Sequence, residues 1–509
     1  MIAKVFSATT SGLDAIPIEV EADISSGLPA FTIVGLPDKA VEESKERVRA
    51  ALKNSGVSTP SRRTTINLAP ADIKKEGPAF DLPIALGLLL TSKQISISDD
   101  ISNKTLFIGE LSLDGRLRTI NGVLPIAIMA KEKGFSNIFL PYENALEASF
   151  IPGLNIYPLN SITQLISHLK EEEKIPKFKK KIKIISDELN LHNYDFAYIK
   201  GQEHAKRALE IAAAGMHNVL MVGSPGGGKT LLARSFSSIL PNMSEEEMLD
   251  VSRIYSVAGK LRGKYLVTER PFRNPHHTSS DISLVGGGQH PKPGEITLAH
   301  RGVLFLDELP EFGRSVLEVL RQPLEDGAIT VSRASGSLEF PASFILVGAM
   351  NPCPCGYLND PEKECICSPA TIIRYQKRIS GPLKDRVDIH LEIPRVKFDK
   401  LTDEKVSESS KEIKKRVEKA RELQKRRFKN TKINSNYEMK IPEIKKFCQI
   451  DEVSQNILKN AMYQLHLSAR AYHRILKIAR TIADLESSEK IKSVHIAEAL
   501  QYRPKEMLY

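Results

Sequence analysis

Lys229 and Thr230 close a glycine-rich run, Gly223-Ser224-Pro225-Gly226-Gly227-Gly228. An apolar stretch, Val219 to Val222, precedes it, and Leu231-Leu232-Ala233 follows with helical character. This is G-x-x-x-x-G-K-[ST] in its strand-to-helix setting. Glycines leave backbone N–H groups free to cradle phosphate oxygens, and the following helix aims its positive end at them. Lys229 is expected to reach the β- and γ-phosphates and Thr230 to ligate Mg²⁺. The residues imply a nucleoside-triphosphate site, with ATP and Mg²⁺ as its cofactors.

A second group lies downstream. Gly302-Val303-Leu304-Phe305-Leu306-Asp307-Glu308 reads as a buried parallel strand delivering two carboxylates to its C-terminal end. Asp307 is expected to hold Mg²⁺ through water and Glu308 to polarise the attacking water. A third strand, Phe344 to Ala349, leads to Asn351, a polar group suited to positioning water near the γ-phosphate. Four cysteines follow at once: Cys353-Pro354-Cys355, nine residues, then Cys365-Ile366-Cys367. Two C-x-C pairs across a short loop can set four thiolates tetrahedrally, which suits Zn²⁺; four free thiols are the alternative. Cys448 stands alone and reads as a small buried side chain. His276 and His277 should fall on opposite sides of an extended chain and so not share a metal. With Gly286-Gly287-Gly288 they read as a mobile insert.

The elements around these groups suggest several units. At 509 residues the chain exceeds one core, and about two to four domains are expected. Residues 1–170 alternate strands and helices: strands at Ile18–Ala22, Ala30–Val34, Thr64–Leu68, Thr105–Glu110 and Asn137–Pro141, helices at Asp38–Ser55, Phe80–Thr91 and Gly122–Gly134. Residues 171–185 are rich in Lys and Glu and read as an exposed linker, a solvated hinge or else a basic arm on DNA. The ATPase core is expected over 186–397, including a β-hairpin around Ala334-Ser335-Gly336 with Arg333 near its tip. The hairpin resembles the pore hairpin of helicase-clade AAA+ rings, which implies that Arg333 meets DNA phosphates, an exposed arginine without a specific role being the alternative. Residues 398–509 read as charged helices, with Ala471, Ile475, Ile478, Ile482 and Leu485 forming one core stripe. The expected fold class is thus α/β with a C-terminal helical lid.

A formal charge of +10 weakly favours a polyanionic partner. No apolar stretch is long enough to span a membrane, and Met1 to Phe6 lacks the features of a signal peptide. A cytoplasmic location is therefore expected, and five cysteines there do not suggest a disulfide framework.

Several segments resemble known families. Lys74 to Pro83 and Gly109 to Arg116 look like the proteolytic domain of Lon-type proteases. The resemblance would put a nucleophilic serine after Gly77-Pro78 and a lysine after Ile120-Asn121-Gly122-Val123. This chain has Ala79 and Leu124 there, so no dyad can form. Ile199-Lys200-Gly201-Gln202 resembles the segment of AAA+ ATPases that packs on adenine. In that resemblance Asn351 is sensor 1, Arg386 in Leu383-Lys384-Asp385-Arg386 the arginine finger with Arg378 in reserve, and Arg470 sensor 2. Over nearly the whole chain the pattern resembles the magnesium-chelatase-like AAA+ ATPases of the ComM/YifB type. The resemblance implies a hexameric ring of identical subunits acting on single-stranded or branched DNA, in branch migration during homologous recombination and natural transformation. A chelatase-type ATPase remodelling a partner protein is the alternative.

Overall fold

Two α/β units account for the chain in a computed structural model, which describes residues 2–58, 61–179, 194–261, 265–288, 292–333, 336–396, 407–431, 433–465 and 467–504. One unit contains the described residues up to 179 together with Leu249–Val267; the other contains the described residues from 194 to Met248 and from Thr268 onward.

The first unit is a mixed sheet of seven strands in the order β3-β4-β2-β1-β5-β8-β9. These are β1 (Ala3–Ser11), β2 (Asp14–Ser25), β3 (Ala30–Val34), β4 (Arg63–Ala69), β5 (Thr105–Phe107), β8 (Asn137–Pro141) and β9 (Asn155–Leu159). A small antiparallel pair, β6 (Glu110–Leu111) and β7 (Leu117–Arg118), lies outside that sheet. Strands β1 and β9 are not evident in the sequence pattern. β1 has contiguous buried residues, Ser7, Ala8 and Thr9, so its burial hides the alternation a half-exposed strand displays. The single helix expected over Asp38–Ser55 is two, Lys39–Glu42 and Ser44–Asn54, divided at Glu43. Helix Asp81–Thr91 is buried on almost every side, which explains its continuous apolar sequence.

Two expected boundaries change. The linker assigned to 171–185 is partly docked: Ile175 is buried and its N–H donates to His168 Nδ1 at 2.9 Å, while the Phe178 N–H donates to the Ile156 carbonyl at 2.8 Å. Its apolar residues, not its charges, decide the placement; residues 180–185 lie outside the described residues. Leu249–Val267, expected in the ATPase core, belongs to the first unit. Ser256 donates to Glu147 Oε1 at 2.6 Å, and the Ser256 carbonyl accepts from the Gly122 N–H at 3.2 Å.

That insertion closes over the positions where the Lon-type resemblance would put its lysine. Leu124 is fully buried in a cluster with Ile108, Ile126, Ile138 and Leu140, and Ala79 packs against the same cluster. The Leu124 N–H donates to Glu147 Oε1 at 3.0 Å. Burial raises the Glu147 carboxyl above its ordinary value despite the bonds from Ser256, Leu124 and Asn144.

The second unit has a five-stranded parallel sheet in the order β11-β14-β17-β10-β18. Its members are β10 (Val219–Gly223), β11 (Phe272–Arg273), β14 (Val303–Leu306), β17 (Ile345–Met350) and β18 (Ile389–Ile393). Two antiparallel pairs stand apart: β12 (Gly286–Gly287) with β13 (Lys292–Pro293), and β15 (Ala328–Arg333) with β16 (Gly336–Pro341). The triple glycine thus begins a short paired ribbon. C-terminal helices Ser410–Arg427, Glu452–Gln464, Ala469–Leu485 and Ser493–Gln501 share one continuous core with the sheet. The helical region expected from residue 398 therefore has no separate core of its own among the described residues; the expected start at 398 lies outside them.

Candidate nucleotide site

Strand order brings the predicted groups together. β17 lies between β10 and β14, so the C-terminal ends of all three emerge side by side. In parallel sheets that end is where ligands bind. The loop after β10 turns through Gly226 (φ 76°) and Gly228 (φ 85°), conformations that favour glycine, and enters helix Lys229–Phe236. Gly223 is needed for a different reason: a Cβ there would sit 2.2 Å from the Ile393 carbonyl oxygen on β18.

Lys229 Nζ donates to the Gly223 carbonyl at 2.6 Å, the Ser224 carbonyl at 3.0 Å and Asn351 Oδ1 at 3.1 Å. Burial lowers its ammonium below the ordinary lysine value, with Asp307 opposing that shift. Thr230 Oγ1 donates to Asp307 Oδ2 at 2.9 Å, so the two proposed Mg²⁺ ligands are neighbours. This pair of hard oxygens fits Mg²⁺, which needs few protein ligands when phosphates supply others. Glu308 follows in the left-handed region (φ 50°), uncommon for a residue with a side chain, and its carboxylate is exposed. Ile199 is buried, with its carbonyl accepting from Ser407 Oγ at 2.9 Å.

Sequence reasoning missed one neighbour of this group. His277 Nδ1 lies 3.3 Å from Glu308 Oε2. The two histidines do not point to opposite sides: their rings sit 4.2 Å apart, because the chain turns at His276–Ser279, where the Ser279 N–H donates to the His276 carbonyl at 2.9 Å, instead of staying extended. The available signal was Thr278-Ser279-Ser280, polar residues of the kind that favour turns, directly after the pair.

The arginines assigned by resemblance sit elsewhere. Arg386 is largely covered, donating to the Pro382 carbonyl at 2.8 Å and pairing with Glu325. Arg470 is exposed and 3.8 Å from the same Glu325. Among the described contacts neither touches Lys229, Thr230, Asp307 or Glu308. Arg378 is half exposed and pairs with Glu311 at 2.8 Å. Arg333 ends β15, and its side chain lies outside the described residues.

All four clustered cysteines present Sγ atoms within 4.8 Å of one another. Cys353–Cys355, Cys353–Cys365 and Cys355–Cys365 are separated by 3.4, 3.7 and 3.6 Å. A tetrahedron with Zn–S bonds of about 2.3 Å has edges of about 3.8 Å, so the set fits one Zn²⁺. Burial pushes the Cys355 thiol up, but the Tyr357 and Ile366 N–H groups outweigh it and bring it to about 6.

Residues 195–401 match the family model "Magnesium chelatase, subunit ChlI", residues 20–144 "Subunit ChlI of Mg-chelatase", and residues 407–503 "Magnesium chelatase, subunit ChlI C-terminal". The chain is 44% identical over 505 residues to competence protein ComM of Haemophilus influenzae, covering 99% of this chain and 97% of that protein. It belongs to the magnesium-chelatase-like ComM/YifB family. An uncharacterized YifB protein of Escherichia coli is 41% identical over the same shares. A magnesium-chelatase 67 kDa subunit of Heliobacterium mobile is 27% identical over 46% of this chain and 38% of its own length. As a member of this family, the chain carries an AAA+ ATPase core that uses ATP and Mg²⁺. Among the described residues, no helix is long and apolar enough to cross a membrane.

Proposed function

We propose that the chain is a ring-forming motor that spends ATP hydrolysis on remodelling DNA, specifically on branch migration during homologous recombination and natural transformation. The observation carrying the ATPase roles is the meeting of Lys229, Thr230, Asp307 and Asn351 at three adjacent strand ends. Lys229 neutralises the β- and γ-phosphates, and Thr230 and Asp307 hold Mg²⁺, which offsets phosphate charge when bound. Glu308 orients and polarises the attacking water, and Asn351 fixes that water and the Lys229 ammonium. The nucleotide's adenine lies against Ile199. Arg386 acts on the neighbouring subunit's nucleotide, so the working state is a ring of identical subunits, a hexamer by the family resemblance. Arg470, on the same Glu325, stands on that same side of the subunit. The hairpin β15–β16 carries Arg333 to single-stranded or branched DNA.

The DNA reading is supported by full-length likeness to a protein named for competence. Likeness to magnesium-chelatase subunits supports a second reading, a motor acting on a partner protein. ATPase rate measured with and without a four-way DNA junction separates them. Stimulation by the junction, abolished in Glu308→Gln, is expected; a rate indifferent to every DNA added would leave the protein-remodelling reading.

A further inference from the structure

The loop holding the four cysteines does more than follow Asn351. Residues 352–368 form neither helix nor strand, so hydrogen-bonded ladders do not fix their course. Yet two of them meet the phosphate loop closely. Gly356 (φ 85°) approaches Pro225 so nearly that a Cβ there would sit 2.5 Å from Pro225 Cδ and 2.6 Å from Cγ. Asp360, its side chain fully covered, lies beside Ser224, whose hydroxyl holds the carboxyl below the usual carboxylate range. Arg395, just past β18, lies 3.5 Å from Asp360 and 2.7 Å from Glu362, tying the loop's far side to the sheet.

Arg395 restrains only the far side of this irregular loop, and a further restraint across its cysteines favours the one course that makes these approaches. Four thiolates on one ion close the chain between Cys353 and Cys367 and supply that restraint. We propose that a Zn²⁺ held by Cys353, Cys355, Cys365 and Cys367 makes this loop a clamp on the phosphate loop, with Gly356 and Asp360 as its positioning residues. Metal occupancy thereby sets nucleotide affinity. Binding releases the thiol protons to solvent, with no change of oxidation state. The clamp rests on the reading of Gly223–Thr230 as the nucleotide site.

The test uses the full chain, metal analysis and titration with a fluorescent ATP analogue in excess Mg²⁺. Protein purified without chelator should carry about one zinc per chain. Stripping the zinc, then removing the chelator, should raise Kd at least about tenfold, and added Zn²⁺ should restore it. Asp360→Asn should keep its zinc, retain the wild-type circular dichroism spectrum, and raise Kd about threefold without rescue by Zn²⁺. Zinc-free purified protein, or stripped and folded protein that binds as tightly as before, overturns the proposal. If stripping unfolds the chain, Asp360→Asn decides: full metal with unchanged Kd also overturns it. Lys229→Ala is the separate control; if it binds ATP normally, the nucleotide-site reading fails and not the clamp alone.

Discussion

Both units place an α/β sheet beneath a loop-rich edge, but they treat the groups at that edge in opposite ways. In the first, the Lon-type resemblance expects a serine and a lysine, and the chain has Ala79 and Leu124. Both pack into one apolar cluster, and Ser256 and Glu147 satisfy the backbone around Leu124. In the second, Lys229, Thr230, Asp307 and Glu308 stay at or near the surface, held by loop carbonyls and by one another. Chemistry needs polar groups kept accessible, at a cost in burial. Once such groups are replaced by apolar ones, the same position becomes a place to add core, and an inserted segment can seal it.

The strongest way to break this comparison is through Arg386, the covered arginine of the second unit. Arg386→Ala should bind ATP nearly normally and lose hydrolysis by ~10³-fold or more, the usual worth of an arginine finger. Mixing it with Lys229→Ala protein should restore part of the activity, because some interfaces then hold one intact copy of each residue. If Arg386→Ala stays active and only its melting temperature falls, the residue merely holds Glu325, and Arg378→Ala is the next variant to assay.

A smaller effect tests the first unit. Leu124→Ala should destabilise it by about 2–5 kcal/mol, the range for emptying a packed leucine site. Differential hydrogen exchange should locate that loss around helix Val123–Glu132 and Leu249–Val267. ATP binding should be untouched. A drop in ATP affinity comparable to that of Lys229→Ala would mean that the first unit also supports the nucleotide site.

The smallest effect is in pH. Burial, with Arg301 and Arg270 nearby, pushes His300 down to about 3, and its Nδ1 accepts the Ser343 N–H at 3.1 Å, which requires the unprotonated ring nitrogen. Burial, with Arg503 nearby, likewise takes His390 down to about 4. Unfolded histidine binds a proton near pH 6.5. Each therefore contributes stability above that pH that is lost as pH falls toward the folded value, at most about 1.4 kcal/mol per pH unit per group. Glu147 has the opposite sign: its raised folded value gives stability below its unfolded value that is lost as pH rises through the folded one. Between pH 7 and pH 5, amide protection should fall first in the second unit. Earlier loss in the first unit would contradict the upward direction in which burial pushes the Glu147 carboxyl.

What the sequence determined by itself is the chemistry carried on short stretches. The run Gly223–Thr230, the apolar strand ending in Asp307-Glu308, and the paired C-x-C motifs declare themselves because strand, turn and helix are fixed by neighbours a few residues apart. Tertiary structure decided everything that depends on distant partners. No periodicity could reveal that Leu249–Val267 joins the first unit, that His277 meets Glu308, that Arg386 and Arg470 share Glu325, or that Gly356 rests on Pro225. These contacts arise only when strand order and packing bring together segments tens of residues apart or more, and a local pattern carries no record of its distant neighbour.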